Sequence, residues 1–240
     1  MVRIATYNVH KCRGMDRRLS VARIAAVIAA LDADLVCVQE LVRAGHTRRT
    51  AVDQAAFLAD SLGYHFAFGE VRKHRGAAYG NATFSRFPIS FHETYDITRY
   101  RWERRGCLRT DVRTPHGTFH VFNVHLGTVL FERSHQARRL LSDEVLNHPK
   151  LRGPRVVVGD FNEWTRGVAT RLMGSRFESA DRRLLGRRWT YPGLLPVMHL
   201  DHFYYDNALR LSAVTLHRSR LALLASDHLP LVADFELAHT

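Results

Sequence analysis

Residues 2–9 alternate between apolar and polar positions with a period of two, which predicts a strand, and a turn containing Gly14 follows it. Apolar residues within 21–31 recur at helical spacing behind Ser20, whose hydroxyl suits a helix N-cap. The run Asp34-Leu35-Val36-Cys37-Val38-Gln39 reads as a buried strand, and a second helix fits 50–62, stopped by Gly63. Strands then fit 64–69, 80–85, 89–97, 107–113 and 118–124, the last two joined through Pro115-His116-Gly117 as a hairpin. A long helix fits 132–146, and an apolar strand at 155–158 breaks at Gly159. After a short helix, strands at 200–205, 211–216 and 231–237 complete the pattern. Strands outnumber helices by about two to one, a mixture that suits two packed sheets flanked by helices. No linker rich in Gly, Pro or Ser and no repeat interrupts the chain, so one continuous domain over residues 1–240 is expected.

Composition narrows the classes. A hydrophobic fraction of 46% and a charged fraction of 24% are ordinary for a globular chain able to bury a core. No apolar run approaches the roughly 20 residues that span a bilayer, and the alternating start has no cleavable apolar region. The expectation is a soluble, cytoplasmic monomer. Three cysteines, Cys12, Cys37 and Cys107, form no CxxC pair, and their odd number argues against a disulfide framework.

The formal net charge is +12, carried by arginine clusters at Arg48-Arg49, Arg72-Lys73-His74-Arg75, 99–105, Arg182-Arg183 and Arg187-Arg188. Such a balance favours polyanionic partners, nucleic acid or an anionic membrane surface, unless it is only a solvated arginine-rich exterior.

Five segments end apolar strands with an abrupt switch to metal-capable or hydrogen-bonding groups: Tyr7-Asn8-Val9-His10-Lys11, Val38-Gln39-Glu40, Asn123-Val124-His125-Leu126, Val158-Gly159-Asp160-Phe161-Asn162 and Ser226-Asp227-His228. Leu200-Asp201-His202 is a weaker sixth. Each alone reads as a strand-end charge, a turn or a satisfied surface histidine; their joint occurrence carries the signal. Phosphoester chemistry needs such groups. A hard cation such as Mg²⁺ takes oxygen ligands and keeps several waters, so one or two carboxylates suffice. Negative charge gathering in the transition state calls for donors, and a carboxylate or histidine must orient or deprotonate water. The i, i+3 spacing of His199 and His202 could suit a zinc site, but no third close ligand accompanies them.

These segments, with Gly80-Asn81-Ala82-Thr83-Phe84-Ser85-Arg86, occur in an order that resembles the endonuclease/exonuclease/phosphatase superfamily, from Ile4 to Phe235. The resemblance implies a four-layer αββα sandwich of two mixed sheets with the active site at one end. It implies Glu40 as principal metal ligand, with Asn8 and Asp227 as ligands directly or through water, Mg²⁺ as the cation and Mn²⁺ as a substitute. It implies that Asp160 orients or activates the attacking water, that Asn162 bonds the scissile phosphate, and that His228 contacts a phosphate oxygen as a cation, paired with Asp201. His125 is placed on the phosphate or near the leaving group, and Asn81 joins the substrate-binding set.

The implied activity is in-line hydrolysis of a phosphodiester or phosphomonoester, with nucleic acid the leading substrate. Arg43, Arg48, Arg72 and Arg75, read as lying in loops after site strands, are the candidate substrate arginines. A phospholipid phosphodiesterase or phosphatase is the alternative, with Tyr100, Trp102 and Trp164 as interfacial residues but no long apolar loop for membrane insertion. A small phosphomonoester substrate and a non-catalytic binding module on the same fold are more remote; the module should have lost the carboxylates that this chain retains.

Overall fold

The computed structural model describes residues 1–43, 52–163, 167–180 and 189–238. Within them the apolar runs pair into two mixed, six-stranded sheets. The first part of the chain forms β1 (Val2–Asn8), α1 (Val21–Ala30), β2 (Leu35–Arg43), α2 (Gln54–Leu62), β3 (His65–His74), β4 (Ala77–Ser85), β5 (Ile89–Asp96), β6 (Gly106–Thr114) and β7 (Gly117–His125). The remainder forms α3 (Leu130–Leu140), β8 (Arg155–Asp160), α4 (Val168–Gly174), β9 (Glu178–Ser179), β10 (Asp201–Tyr205), β11 (Leu209–Leu216), α5 (Arg220–Ala225) and β12 (Leu231–Leu237). One sheet runs β11-β12-β1-β2-β4-β3 and the other β5-β6-β7-β8-β10-β9.

Strand alternation sorts the side chains into layers. Ile4, Leu35 and Cys37 of one sheet meet Val121, Val156, Val158 and Phe203 of the other in the central core. The opposite faces are closed by helices: Ile24, Ile28, Leu58 and Ala222 pack on Tyr7, Val36 and Val38, while Ala137, Leu140, Ala169 and Met173 pack on Phe122, Val124 and Tyr204. Each fully buried Ile, Leu or Phe contributes about 1.5–3 kcal/mol, so these three contact layers hold the αββα sandwich together. The three cysteines are buried and free. Among the described residues, no helix is long and apolar enough to cross a membrane.

One pairing rule positions the site. β1 and β2 run parallel across α1, and β7 and β8 run parallel across α3. All four therefore end at the same edge of the sandwich, with Asn8, Glu40, His125 and Asp160 at or beside their C-terminal ends. Antiparallel neighbours start where these strands end: Asp201 opens β10 directly opposite Asp160, and Leu231 of β12 pairs with Thr6. Ser226-Asp227-His228, just before β12, is thereby delivered to the same edge.

Several local differences from the sequence reading have identifiable causes. The helix read over 132–146 ends at Leu140; beyond it the Ser142 hydroxyl donates to the Arg139 carbonyl at 2.8 Å and the Asn147 amide to the Leu141 carbonyl at 2.5 Å, local bonds that compete with helix continuation. The helix read from residue 50 begins at Gln54, because Asp53 caps it by accepting the Ala56 N–H at 3.0 Å. The strands read over 64–69 and 80–85 extend toward one another into a hairpin whose two-residue turn is Arg75 (φ 50°) and Gly76 (φ 81°). Arg48, Arg49, residues 50–51, Trp164, Arg182, Arg183, Arg187 and Arg188 lie outside the described residues.

Gly159 is where β8 turns toward the site. Its φ is +142°, and an added Cβ would stand 2.0 Å from the Val124 carbonyl oxygen of β7. Both the backbone conformation and the contact exclude a side chain. Gly159→Ala is expected to lose about 3 kcal/mol or more of stability in urea unfolding; a loss below about 1 kcal/mol would show that β7 and β8 adjust freely at this point.

Candidate active site

Asp160 is the last residue of β8 and is 1% exposed. Its Oδ1 accepts the Asn162 backbone N–H at 2.8 Å, and its Oδ2 accepts the Asn8 amide at 3.0 Å. The Nε2 atoms of His125 and His228 each lie 3.6 Å from Oδ2. One buried carboxyl thus joins β1, β7, β8 and the segment before β12. Asn162 adopts φ +50° and donates its amide to the Leu126 carbonyl at 2.9 Å, which fixes the chain leaving β8.

Glu40 reaches the cleft through a β-bulge. Val38 pairs with Ala82 and Leu41 with Gly80, so Gln39 and Glu40 together face the single residue Asn81. The extra residue lets Val38 and Leu41 both enter the helix-side core, while Gln39 bonds Thr6 and Asn123 between the sheets. Glu40 itself takes φ +62°, a conformation costing a non-glycine residue about 1 kcal/mol. Its Oε1 lies 3.5 Å from the Asn8 amide, and its Oε2 accepts Lys11 Nζ at 2.5 Å. Burial works against the ionised Glu40 carboxyl, but His125 (protonated in the acid range where Glu40 titrates), Lys11 and His10 outweigh it and hold the group at about 2.

The two histidines beside Asp160 are driven apart. His228 Nδ1 sits 2.9 Å from Asp201 Oδ2. Burial disfavours its charge, yet Asp201, Asp160 and Asp227 raise it to about 10, so the imidazole is cationic at neutral pH. His125 is lowered to about 4 by burial and by Arg105, whose Nη1 lies 3.4 Å from His125 Nε2. At neutral pH it is the uncharged member of the pair and accepts from Arg105. With His125 neutral, Lys11 is the standing counter-charge of Glu40.

Asp227 lines the same cleft as Glu40, which has a volume of about 430 Å³. His10 Nδ1 lies 3.4 Å from Asp227 Oδ2, and the Ser226 hydroxyl donates to the Asn8 carbonyl at 2.8 Å, tying this segment to the end of β1. Among the described residues, no three His, Cys, Asp or Glu side chains form a ready cage for a metal. The donors converging here are nevertheless hard oxygens spread around one cleft, a set that fits a cation retaining much of its water shell.

The sequence-predicted residues do not all reach this cleft. Asn8, Glu40, His125, Asp160, Asn162, Asp227 and His228 line it, as does Arg72, and Asp201 stands behind His228. Arg72 is in β3 and not in a loop: the bulge between Glu70 and Arg72 and the tight turn at Arg75-Gly76 lengthen the hairpin. Its guanidinium stacks 4.3 Å from the Tyr79 ring centroid and binds Glu103 at 2.9 Å. Arg43 also lies in a strand, at the end of β2, paired with Asp53 at 3.1 Å and over Phe66 on the helix-covered face. Arg75 occupies the hairpin turn. Asn81 is buried between the sheets and donates to the Gly106 and Asn123 carbonyls at 3.2 and 3.3 Å. Arg48 falls outside the described residues.

Lys11, Tyr79, Glu103 and Arg105 also line the cleft, as do Thr128, Tyr191 and Met198, and the sequence reading gives none of them a role. Lys11 was visible at the end of the first polar segment. Arg105 was visible as the last residue of an arginine cluster just before a strand.

The chain is similar to known proteins over nearly its whole length. A family model described as the endonuclease/exonuclease/phosphatase family matches residues 5–228. An Escherichia coli (strain K12) relative described as uncharacterized protein YbhP is 31% identical over 246 residues, spanning 98% of this chain and 96% of the relative. The crystal structure of an endonuclease/exonuclease/phosphatase from Beutenbergia cavernae DSM 12333 matches with a TM-score of 0.77 at 25% identity, covering 99% of this chain and 72% of that one. The mannosyl-6-phosphatase Bt3783 of Bacteroides thetaiotaomicron VPI-5482 shares the fold with a TM-score of 0.79 at 16% identity, covering 99% of this chain and 100% of its own. With that match and these site segments in place, the chain belongs to the endonuclease/exonuclease/phosphatase family.

Proposed function

We propose that this chain is a divalent-metal-dependent phosphoesterase that hydrolyses its substrate by in-line attack of water. The observation that carries this reading is the environment of Asp160: a buried carboxyl within reach of Asn8, a cationic His228 and a neutral His125, beside the acidic Glu40. Glu40 would hold the cation, with Asn8 and Asp227 binding directly or through water. When bound, Mg²⁺, or Mn²⁺ in its place, supplies Lewis-acid charge to a phosphoryl oxygen.

The protein groups divide the remaining work. Asp160 orients the attacking water and accepts its proton. His228, held by Asp201, offers a charged N–H to a phosphoryl oxygen as negative charge builds there. Asn162 adds a neutral donor. His125 stands on the far side of Asp160 from Asp201 and contacts the phosphate near the leaving oxygen. All of these groups are in place before substrate arrives, so little reorganisation accompanies the reaction.

The net charge of +12 puts polyanions first among substrates. By charge alone nucleic acid comes first, with Arg72 and Arg105 in the cleft wall. A phospholipid headgroup ester is the second, supported by exposed aliphatic residues on the cleft rim such as Leu194 and Leu195. The fold neighbour that is a mannosyl-phosphatase supports a phosphomonoester. Turnover of plasmid DNA, single-stranded RNA, bis-p-nitrophenyl phosphate and phosphatidic acid in Mg²⁺ and in Mn²⁺ separates these classes, with Asp160→Asn as the inactive control.

Two substitutions test the roles. Glu40→Gln is expected to lower turnover in Mg²⁺ by at least about a hundredfold while the fold is retained; near-native turnover would remove Glu40 from the metal site. Asp201→Asn is expected to lower kcat by about a hundredfold with KM within a fewfold of native, because Asp201 acts through His228 in the transition state. An equal change in KM with kcat intact would make the pair a ground-state binding device instead.

A further inference from the structure

We infer that the mouth of the cleft docks on an anionic lipid bilayer, so that the phosphoester it takes is presented in the plane of a membrane. This rests on the phosphoesterase reading for the identity of the substrate, and on the rim alone for docking.

Three segments leave the cleft wall and end in exposed apolar groups. The first follows Tyr191, which lines the cleft with Met198. These two residues close a small hairpin, with the Tyr191 N–H donating to the Met198 carbonyl at 3.0 Å and the Met198 N–H donating back at 2.8 Å. Its tip carries Leu194 and Leu195, the latter 72% exposed. The second follows Thr128 and carries Leu130 and Phe131, the latter 69% exposed. The third precedes Glu103 and Arg105 and carries Tyr100, 94% exposed, and Trp102. Single exposed apolar residues are normal on a soluble surface; three prominences around one cleft are not.

A fourth apolar element adjoins them. α5 exposes Leu221 and Leu224. The Leu224 carbonyl accepts the N–H of Met15, itself exposed, and the Gly193 N–H donates to the Asp227 carbonyl at 2.7 Å. The hairpin, α5 and the loop at Met15 thus form a joined flank beside Asp227.

Cationic side chains accompany these groups. Arg101 and Arg104 are exposed beside Tyr100 and Trp102, and Arg17, Arg18, Arg218 and Arg220 are exposed around α5. Apolar tips set among arginines match the physics of an interfacial surface: the tips gain by entering the acyl boundary, aromatic rings settle at headgroup level, and arginines meet anionic headgroups. At the rim the aliphatic tips favour lipid over nucleic acid. Leucine offers neither a stacking face nor a donor to bases or phosphates, whereas burying it in lipid is directly favourable.

Sedimentation of the full-length protein with vesicles tests this. Partition onto phosphatidylcholine vesicles containing phosphatidylglycerol is expected, with little onto phosphatidylcholine alone. The double variant Leu194→Ser/Leu195→Ser, and separately Phe131→Ser, should weaken partition by about tenfold while leaving hydrolysis of bis-p-nitrophenyl phosphate within about twofold of native. The two variants lie on different segments, so a folding defect in one leaves the other informative. Absence of partition by the native protein, or partition that both folded variants retain in full, overturns the proposal. So does retention of duplex DNA, but not vesicles, with the same sensitivity to the variants. A native protein that partitions but hydrolyses no phosphoester would leave docking standing and remove the phosphoesterase reading.

Discussion

The structure turns on burying the Asp160 carboxyl at the meeting point of two sheets. Removing a carboxyl from water is costly unless hydrogen bonds and opposite charge replace the lost solvation. Here the replacements come from separate places: the Asn162 N–H from its own chain turn, the Asn8 amide from the other sheet, and His228 from the segment before β12. None of them suffices alone. The carboxyl is satisfied only when both sheets are packed in a single alignment, so the polar centre of the site also reports on the assembly of the sandwich.

That alignment is enforced by a polar brace deeper in the slot. Asn123 of β7 donates to the Val38 and Ala82 carbonyls at 3.1 and 2.9 Å and accepts from Gln39 at 2.8 Å. These bonds cross from one sheet to the other beside the bulge that carries Glu40. An apolar pair there would pack equally well over a range of sheet offsets, whereas buried hydrogen bonds tolerate only small displacements. The cleft geometry is thus held by bonds one layer beneath it, and Asn81 belongs to that layer through its contacts with the Gly106 and Asn123 carbonyls.

The legible part of the fold was its periodicity and its strand ends. Alternation located the central strands because each is apolar on a buried face, and the switch to Asn8, His125 or Asp160 marked where each strand meets the cleft. The illegible parts arose where backbone geometry departs from a regular period. Nothing in Val38-Gln39-Glu40-Leu41 announces a bulge; its signature is only that Val38 and Leu41, three residues apart, share one face. Arg75-Gly76 does not announce a turn because it lies inside a charged run, so the sequence pattern puts Arg72 in a loop although it is part of a strand. The exposed rim was invisible for a different reason. Leu194-Leu195 is too short to read as an insertion loop, and its significance comes from its position beside Tyr191 and Met198.

Charge acts on two length scales in this molecule. At long range the excess of +12 attracts polyanions, an effect that fades beyond about 10 Å at moderate salt. Inside the cleft the excess disappears, since Glu40, Glu103, Asp160 and Asp227 stand against Lys11, Arg72, Arg105 and His228. Under the proposed reading, a phosphoester drawn in by the outer field meets acidic groups that a divalent cation on Glu40 would neutralise. Cation and substrate would then each strengthen the other's binding, because linkage between two sites is reciprocal. Lys11, already bonded to Glu40 at 2.5 Å, would compete with such a cation for that carboxylate and so limit the coupling. On that reading the cation would be held most firmly when its phosphoester is also bound, because the substrate would add oxygen ligands and charge that Lys11 cannot.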